Sequence, residues 1–262
     1  MPWTDGFEII GGESGIARAV LVPGPTCPLC GGVGRREVIL EGVPRVARCR
    51  CQKVVDRVAI YNAAFIPARH AACTMENFRR DRPGAEPGWK ATRLWLDKFV
   101  PGQENPGLVL YGAPGRGKTH LLAAALRELV FRHGVPVRFV EFTHLLAALK
   151  EGFDRKEGES VTLTPLIRVP VLAVDELGKG RKTDFELATI DEIVSRRYNA
   201  RGTLLATTNF GVGSAMRATD SLATGGPETL AERLGERVYS RLAETVTFAP
   251  ALGEDYRATK GR

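Results

Sequence analysis

The chain has 262 residues, 44% hydrophobic and 26% charged, which suits one sizeable α/β domain with a small appendage and excludes a disordered polyelectrolyte. Its opening residues, MPWTDGFEII, place acidic side chains where a leader needs basic ones, and no run approaches the roughly 18 apolar residues of a membrane span, so a cytoplasmic protein without membrane contact is expected. Five cysteines in such a chain point to metal ligation or free thiols rather than a disulfide framework, and a net charge of +7 suits a polyanionic partner as well as a solvated basic surface.

Residues 1–26 are rich in Gly and Pro without a sustained period and predict a mobile or loosely packed arm. Residues 27–66 read as a small module. Cys27-Pro-Leu-Cys30 and Cys49-Arg-Cys51 flank a β-like run at 37–40 and a turn at 42–44, a spacing that can close a tetrahedral Zn²⁺ site or serve as a reduced cysteine cluster. Cys73 lies outside the pattern and reads as a buried small hydrophobe. Apolar residues between Gln52 and Phe65 suit a helix stopped by Pro67, joining the module to a main domain over 67–262.

After a turn-rich stretch, a helix is expected over 89–100, and then the stretch Gly107–Leu122, GLVLYGAPGRGKTHLL, reads as strand, phosphate loop and helix. A second strand is expected at 135–142, a helix around Leu145 and Leu149, and an exposed loop or lid at 150–160. Strands at 169–174, 203–208 and 245–248 then alternate with helices at 184–198 and 227–243. That alternation predicts a parallel sheet sandwiched by helices, with ligands at the carboxyl ends of the strands.

The loop Gly112, Ala113, Pro114, Gly115, Arg116, Gly117, Lys118, Thr119 and His120 fits the pattern in which backbone N–H groups curl around phosphate oxygens. Lys118 reaches the outer phosphates and the Thr119 hydroxyl holds Mg²⁺. Asp175 and Glu176, closing an apolar run, supply a Mg²⁺-orienting acid and a group able to polarise the attacking water. Asn209 follows the next strand, placed to touch the γ-phosphate or that water. Arg233, Arg237 and Arg241 stand four apart. On an unbroken helix they form one row whose repulsion, about 0.2–0.5 kcal/mol per pair, calls for something acidic outside the helix, and they read either as a basic face or as holding an arginine finger for a neighbouring subunit. Lys150, Arg155, Lys156, Lys179, Arg181 and Lys182 form two basic clusters suited to a polyanion such as nucleic acid, the first interleaved with acids as an ordinary solvated loop also is.

Taken together, GAPGRGKT, VLAVDELG, LLATTN and GERVYSRL resemble the ATPase motifs of the AAA+ proteins, specifically the DnaC/DnaI-type helicase loaders and their IstB transposition-helper relatives. The CPLCGGVG and CRC segments resemble the zinc-binding N-terminal module of the DnaI-like members. The resemblance implies ATP with Mg²⁺ as cofactors, Asn209 as the sensor, Arg241 as the finger and Arg237 as a second arginine of the same box. It also implies Phe78 near the adenine, an ATP-dependent homo-oligomer, and a DnaB-type replicative helicase or a transposase as partner. The function expected is ATP-dependent loading of a replicative helicase on single-stranded DNA. The alternatives are an IstB-like transposase helper, a metabolic phosphotransferase, and a nucleotide-holding adaptor without turnover.

Overall fold

The computed structural model describes residues 6–12, 14–22, 27–154, 159–213 and 228–256. Two antiparallel hairpins come first, β1 (Phe7–Gly11) with β2 (Ala17–Leu21) and β3 (Arg35–Leu40) with β4 (Val43–Arg48). The first corrects the expectation of a loose arm. Phe7, Ala17 and Ala19 are buried, the Phe7 ring stacks on Phe131 at 3.9 Å, and the Ala19 backbone exchanges two hydrogen bonds with the Asn62 side chain at 2.7 and 3.0 Å. The buried side chains that carry this docking are too few to register as a period in a Gly- and Pro-rich stretch. In the second hairpin the turn falls at Glu41 and Gly42, one residue earlier than expected, with φ of 52° and 75°, the positive values that two-residue hairpin turns require.

Helix α1 (Gln52–Asn62) stops short of the expected Phe65, which has φ of 60° and lies under the Arg138 guanidinium at 3.7 Å. After a tight turn at Ala68–His70 comes α2 (Glu86–Lys98), and then a parallel five-stranded sheet. Its strands are β5 (Gly107–Tyr111), β6 (Val137–Glu141), β7 (Val171–Asp175), β8 (Thr203–Thr208) and β9 (Val246–Pro250), in the order β6-β7-β8-β5-β9. Helix α3 (Lys118–Glu128) follows β5 and, through a wider turn at Leu129–His133, stops at Gly134 as its left-handed end predicts.

Period-two alternation sorts the strand residues between two cores. Leu108, Leu110, Ala173 and Leu205 face α3 and the N-terminal elements; Val109, Leu172, Val174, Leu204 and Ala206 face α4 (Phe142–Asp154), α5 (Glu159–Arg168) and α6 (Asp184–Asn199). The result is the expected α/β sandwich. Helices α4 and α5 correct the expected loop at 150–160: Lys150 lies in α4, and α5 buries Leu163 and Leu166. The charged residues ahead of α5 and Pro165 inside it concealed that helix.

The helix expected over 227–243, whose first residue lies outside the described residues, is two: α7 (Leu230–Leu234) and α8 (Glu236–Thr245). Gly235, with φ 83° and ψ 148°, breaks it and turns Arg233 inward to donate to the Gly178 carbonyl at 2.6 Å. Arg233, Arg237 and Arg241 therefore do not form one row. Another arginine, Arg197, is wholly buried and donates to the carbonyls of Leu166, Ile167, Val169, Pro170 and Thr203 at 2.6–3.1 Å, tying the end of α5 to the starts of β7 and β8. Burial brings its guanidinium down to about 10. Among the described residues no helix is long and apolar enough to cross a membrane.

Candidate nucleotide site

The parallel register sets Tyr111 beside Thr208 and Val174 beside Ala206, so the chain leaves β5, β7 and β8 at one edge of the sheet. Gly112–Thr119, Asp175–Glu176 and Asn209 meet there. Lys118 is buried, its Nζ donating to the carbonyls of Gly112 and Ala113 at 2.6 and 2.8 Å. The Thr119 hydroxyl donates to Asp175 Oδ1 at 3.0 Å. Thr207 donates its hydroxyl to the same oxygen at 2.5 Å and accepts the Glu176 N–H at 2.9 Å, fixing both acids at the end of β7.

Burial pushes the Asp175 carboxyl above its ordinary range, and the Thr207 and Thr119 hydroxyls pull it partly back. A hard divalent cation on Thr119 and Asp175 would offset that desolvation, and the all-oxygen donor set suits Mg²⁺. Beside them opens a cleft of about 500 Å³, lined by Lys118, Thr119, Glu176, Thr207 and Asn209 together with parts of 69–85 and 252–256. The sequence-predicted Pro114, Gly115, Arg116, Gly117 and His120 line it as well, whereas Gly112, Ala113 and Asp175 stand behind the surface. His120 is turned to its own chain, with Nε2 2.9 Å from the Thr74 carbonyl and its ring edge-on to Phe78 at 5.3 Å; burial lowers its pKa and favours the neutral ring. Glu176 has φ of 58° and an ion pair with Lys179.

Neither Arg237 nor Arg241 lines this cleft. Helix α8 packs on α6, where Arg241 donates to the Ser195 hydroxyl and stands 3.5 Å from Asp191 Oδ1, while Arg237 lies 3.9 Å from Asp191 Oδ2. Asp191 is thus shared by the two arginines of α8, whereas Arg233 faces Glu186 and Glu228. Of the basic residues assigned to DNA, Lys182 is committed internally, to Glu228 at 2.8 Å and the Glu232 carbonyl at 2.7 Å, and Lys179 to Glu176. Lys150 lies over the Phe185 ring at 5.5 Å, Arg181 is exposed, and Arg155 and Lys156 lie outside the described residues.

The second hairpin brings Cys27, Cys30, Cys49 and Cys51 together, all four sulfurs within 4.8 Å of one another. The Cys27–Cys49 and Cys30–Cys51 separations of 3.8 and 3.7 Å match the edge of a tetrahedron of sulfurs, about 3.8 Å, around a metal at ~2.3 Å from each. The Gly34 N–H donates to Cys30 Sγ at 3.3 Å and lowers that thiol to about 7, whereas desolvation raises Cys51 to about 11, so the metal site rests on the sulfur geometry. The residues fit zinc. Cys73 is apart and buried, its thiol raised to about 11 by desolvation.

Sequence reasoning missed Thr207, Asp191 with Ser195, and the cleft residues Arg82 and Tyr256. Thr207 had a signal: a hydroxyl in a fully buried strand must find a polar partner. The others come from chain segments whose approach no local pattern encodes.

A phosphate loop after β5, an acid pair ending β7 and an asparagine ending β8, the central strand between them, define an AAA+-type P-loop ATP-binding protein. Residues 61–234 match the profile of the family described as IstB-like ATP binding protein, and the chain belongs to that family. It is 29% identical over 184 residues to the replicative helicase loader DnaC of Escherichia coli (strain K12), covering 70% of this chain and 67% of that protein. A crystal structure of the DnaC helicase loader matches with a TM-score of 0.59 at 28% identity, over 70% of this chain and 99% of that one. The crystal structure of DnaI matches with a TM-score of 0.55 at 22% identity, over 74% and 95%, a likeness of fold.

Proposed function

We propose that this chain is an ATP-dependent loader that places a DnaB-type replicative helicase on single-stranded DNA in the cytoplasm. The observation that carries the reading is its 29% identity over 184 residues to the loader DnaC, beside a cleft that gathers the phosphate loop, Glu176 and Asn209. Lys118 neutralises the outer phosphates, Thr119 and Asp175 hold Mg²⁺, and Asn209 orients the attacking water. Glu176 polarises that water after leaving Lys179. Arg241 of one copy completes the site of the next, so that ATP assembles subunits and hydrolysis separates them. Residues 67–262 form the ATPase domain and 27–66 a zinc module with its linker helix, although Phe7, Tyr61 and Phe131 share one core.

The experiment is loading on a circular single strand, which offers no end to thread. With ATP, the chain should increase the amount of active replicative helicase bound to the circle. Unchanged loading would overturn the reading, and ATP-dependent capture of a transposase in its place would favour the IstB-like helper. Lys150→Ala with Arg181→Ala should weaken the chain's own binding to single strands and lower its salt slope by about 0.7 for each phosphate that is no longer neutralised. An unchanged slope removes these two residues from the DNA path.

Zinc belongs to the same proposal. Protein purified without chelator should carry one equivalent held by the four cysteines, and Cys49→Ser, at the most buried of them, should lose it and unfold the β3–β4 hairpin. Metal content unaffected by this change would refute the site.

A further inference from the structure

The segment after β9 crosses the phosphate loop and walls the cleft. The Ala251 N–H donates to the Tyr111 carbonyl at 2.8 Å, and the Tyr256 N–H donates to the Gly115 carbonyl at 3.0 Å. Between these anchors Gly253 lies against the backbone of Pro83 and Gly84, so closely that a Cβ on Gly84 would stand 2.6 Å from the Gly253 nitrogen. The Asp255 carboxylate fills the space a Cβ on Gly115 would need, which, with φ of 78°, explains glycine in the middle of the loop. Residues 251–256 are thus seated against two parts of the site, the phosphate loop and the turn at 83–84.

Tyr256 is carried into the cleft by this anchoring. The residue is 37% exposed, and the Arg82 guanidinium lies over its ring at 5.0 Å; both line the cavity that also holds Lys118 and Thr119. Phe78, the aromatic residue expected near the base, is half-buried against His120 and the core beneath α3. Of the described aromatic residues lining the cleft, Phe78 and Tyr256, Tyr256 is the more exposed. A cleft of about 500 Å³ suits a whole nucleotide. Tyrosine and guanidinium planes are both stacking surfaces for a heteroaromatic base, and such stacking tolerates any base.

We propose that Tyr256 and Arg82 form the nucleobase subsite, with 251–256 as a built part of the nucleotide site. The inference rests on the nucleotide reading above and adds where the base is held. Phosphate recognition belongs to Lys118 and Thr119, so the two halves of the ligand can be separated. The test titrates ATP, and separately inorganic tripolyphosphate, into the unaltered chain, Tyr256→Ala and Tyr256→Phe with Mg²⁺ present, with heteronuclear spectra confirming the fold.

Tyr256→Ala should weaken ATP by about tenfold or more while leaving tripolyphosphate affinity unchanged, and Tyr256→Phe should retain ATP affinity. Equal ATP affinity in Tyr256→Ala and the unaltered chain would overturn the proposal. So would parallel loss of both ligands, which would make the segment a support for the phosphate loop only. Failure of the unaltered chain to bind either ligand would instead sink the nucleotide reading itself.

Discussion

Lys118→Ala should abolish tight ATP binding, whereas Glu176→Gln should bind ATP as the parent does and fail to turn it over. The ammonium of Lys118 is buried and already desolvated, with the carbonyls of Gly112 and Ala113 as its acceptors, so little further desolvation is needed when phosphate oxygens replace them. Removing one partner of a buried charge pair costs about 2–5 kcal/mol, or roughly 30- to several-thousand-fold in affinity. Glu176 is partly exposed at the mouth of the cleft, and glutamine keeps its shape while losing the ability to accept a proton, a loss of about 10²–10⁴ in rate for a general base. Equilibrium titration paired with phosphate release separates the two variants. Equal loss of affinity in both would remove Glu176 from the chemistry.

Arg241→Ala should lower turnover by about 10³ or more and leave the ATP affinity of an isolated subunit intact, because the guanidinium does not line its own cleft. Its side chain is held on the α6–α8 face by Asp191 and Ser195, still 31% exposed, so the geometry keeps it ordered and presentable to a neighbour. Arg237 shares Asp191 from a more exposed position. Mixing is the decisive measurement. Arg241→Ala and Lys118→Ala subunits, each inactive alone, should regain ATPase activity together, since one supplies an intact pocket and the other an intact finger. No recovery at any ratio, with assembly verified by sizing, would show that Arg241 does not act across a subunit boundary.

Read alone, the residues of 107–122, 171–176 and 203–209 were enough to foresee a parallel sheet and which residues meet at its edge. Phosphate-loop chemistry is local: successive backbone N–H groups, a lysine at a set offset and a helix start lie within one short stretch. Continuous apolar runs announced strands buried on both faces, and two cysteine pairs around a turn announced their own meeting. Packing between distant segments decided the rest. The docking of Phe7 on Phe131, the helix α5 behind its proline and the break at Gly235 each depend on what packs against them. The same holds for Arg197, whose five carbonyl partners lie within 166–170 and at Thr203, and for Asp191, which draws two arginines from another helix. Tyr256 reaches the phosphate loop only because β9 pairs beside β5 and delivers the following residues across Gly115. Local patterns specify which groups can do chemistry; which distant groups join them is set by packing, because burial rewards any arrangement that excludes water and pairs the polar groups it encloses.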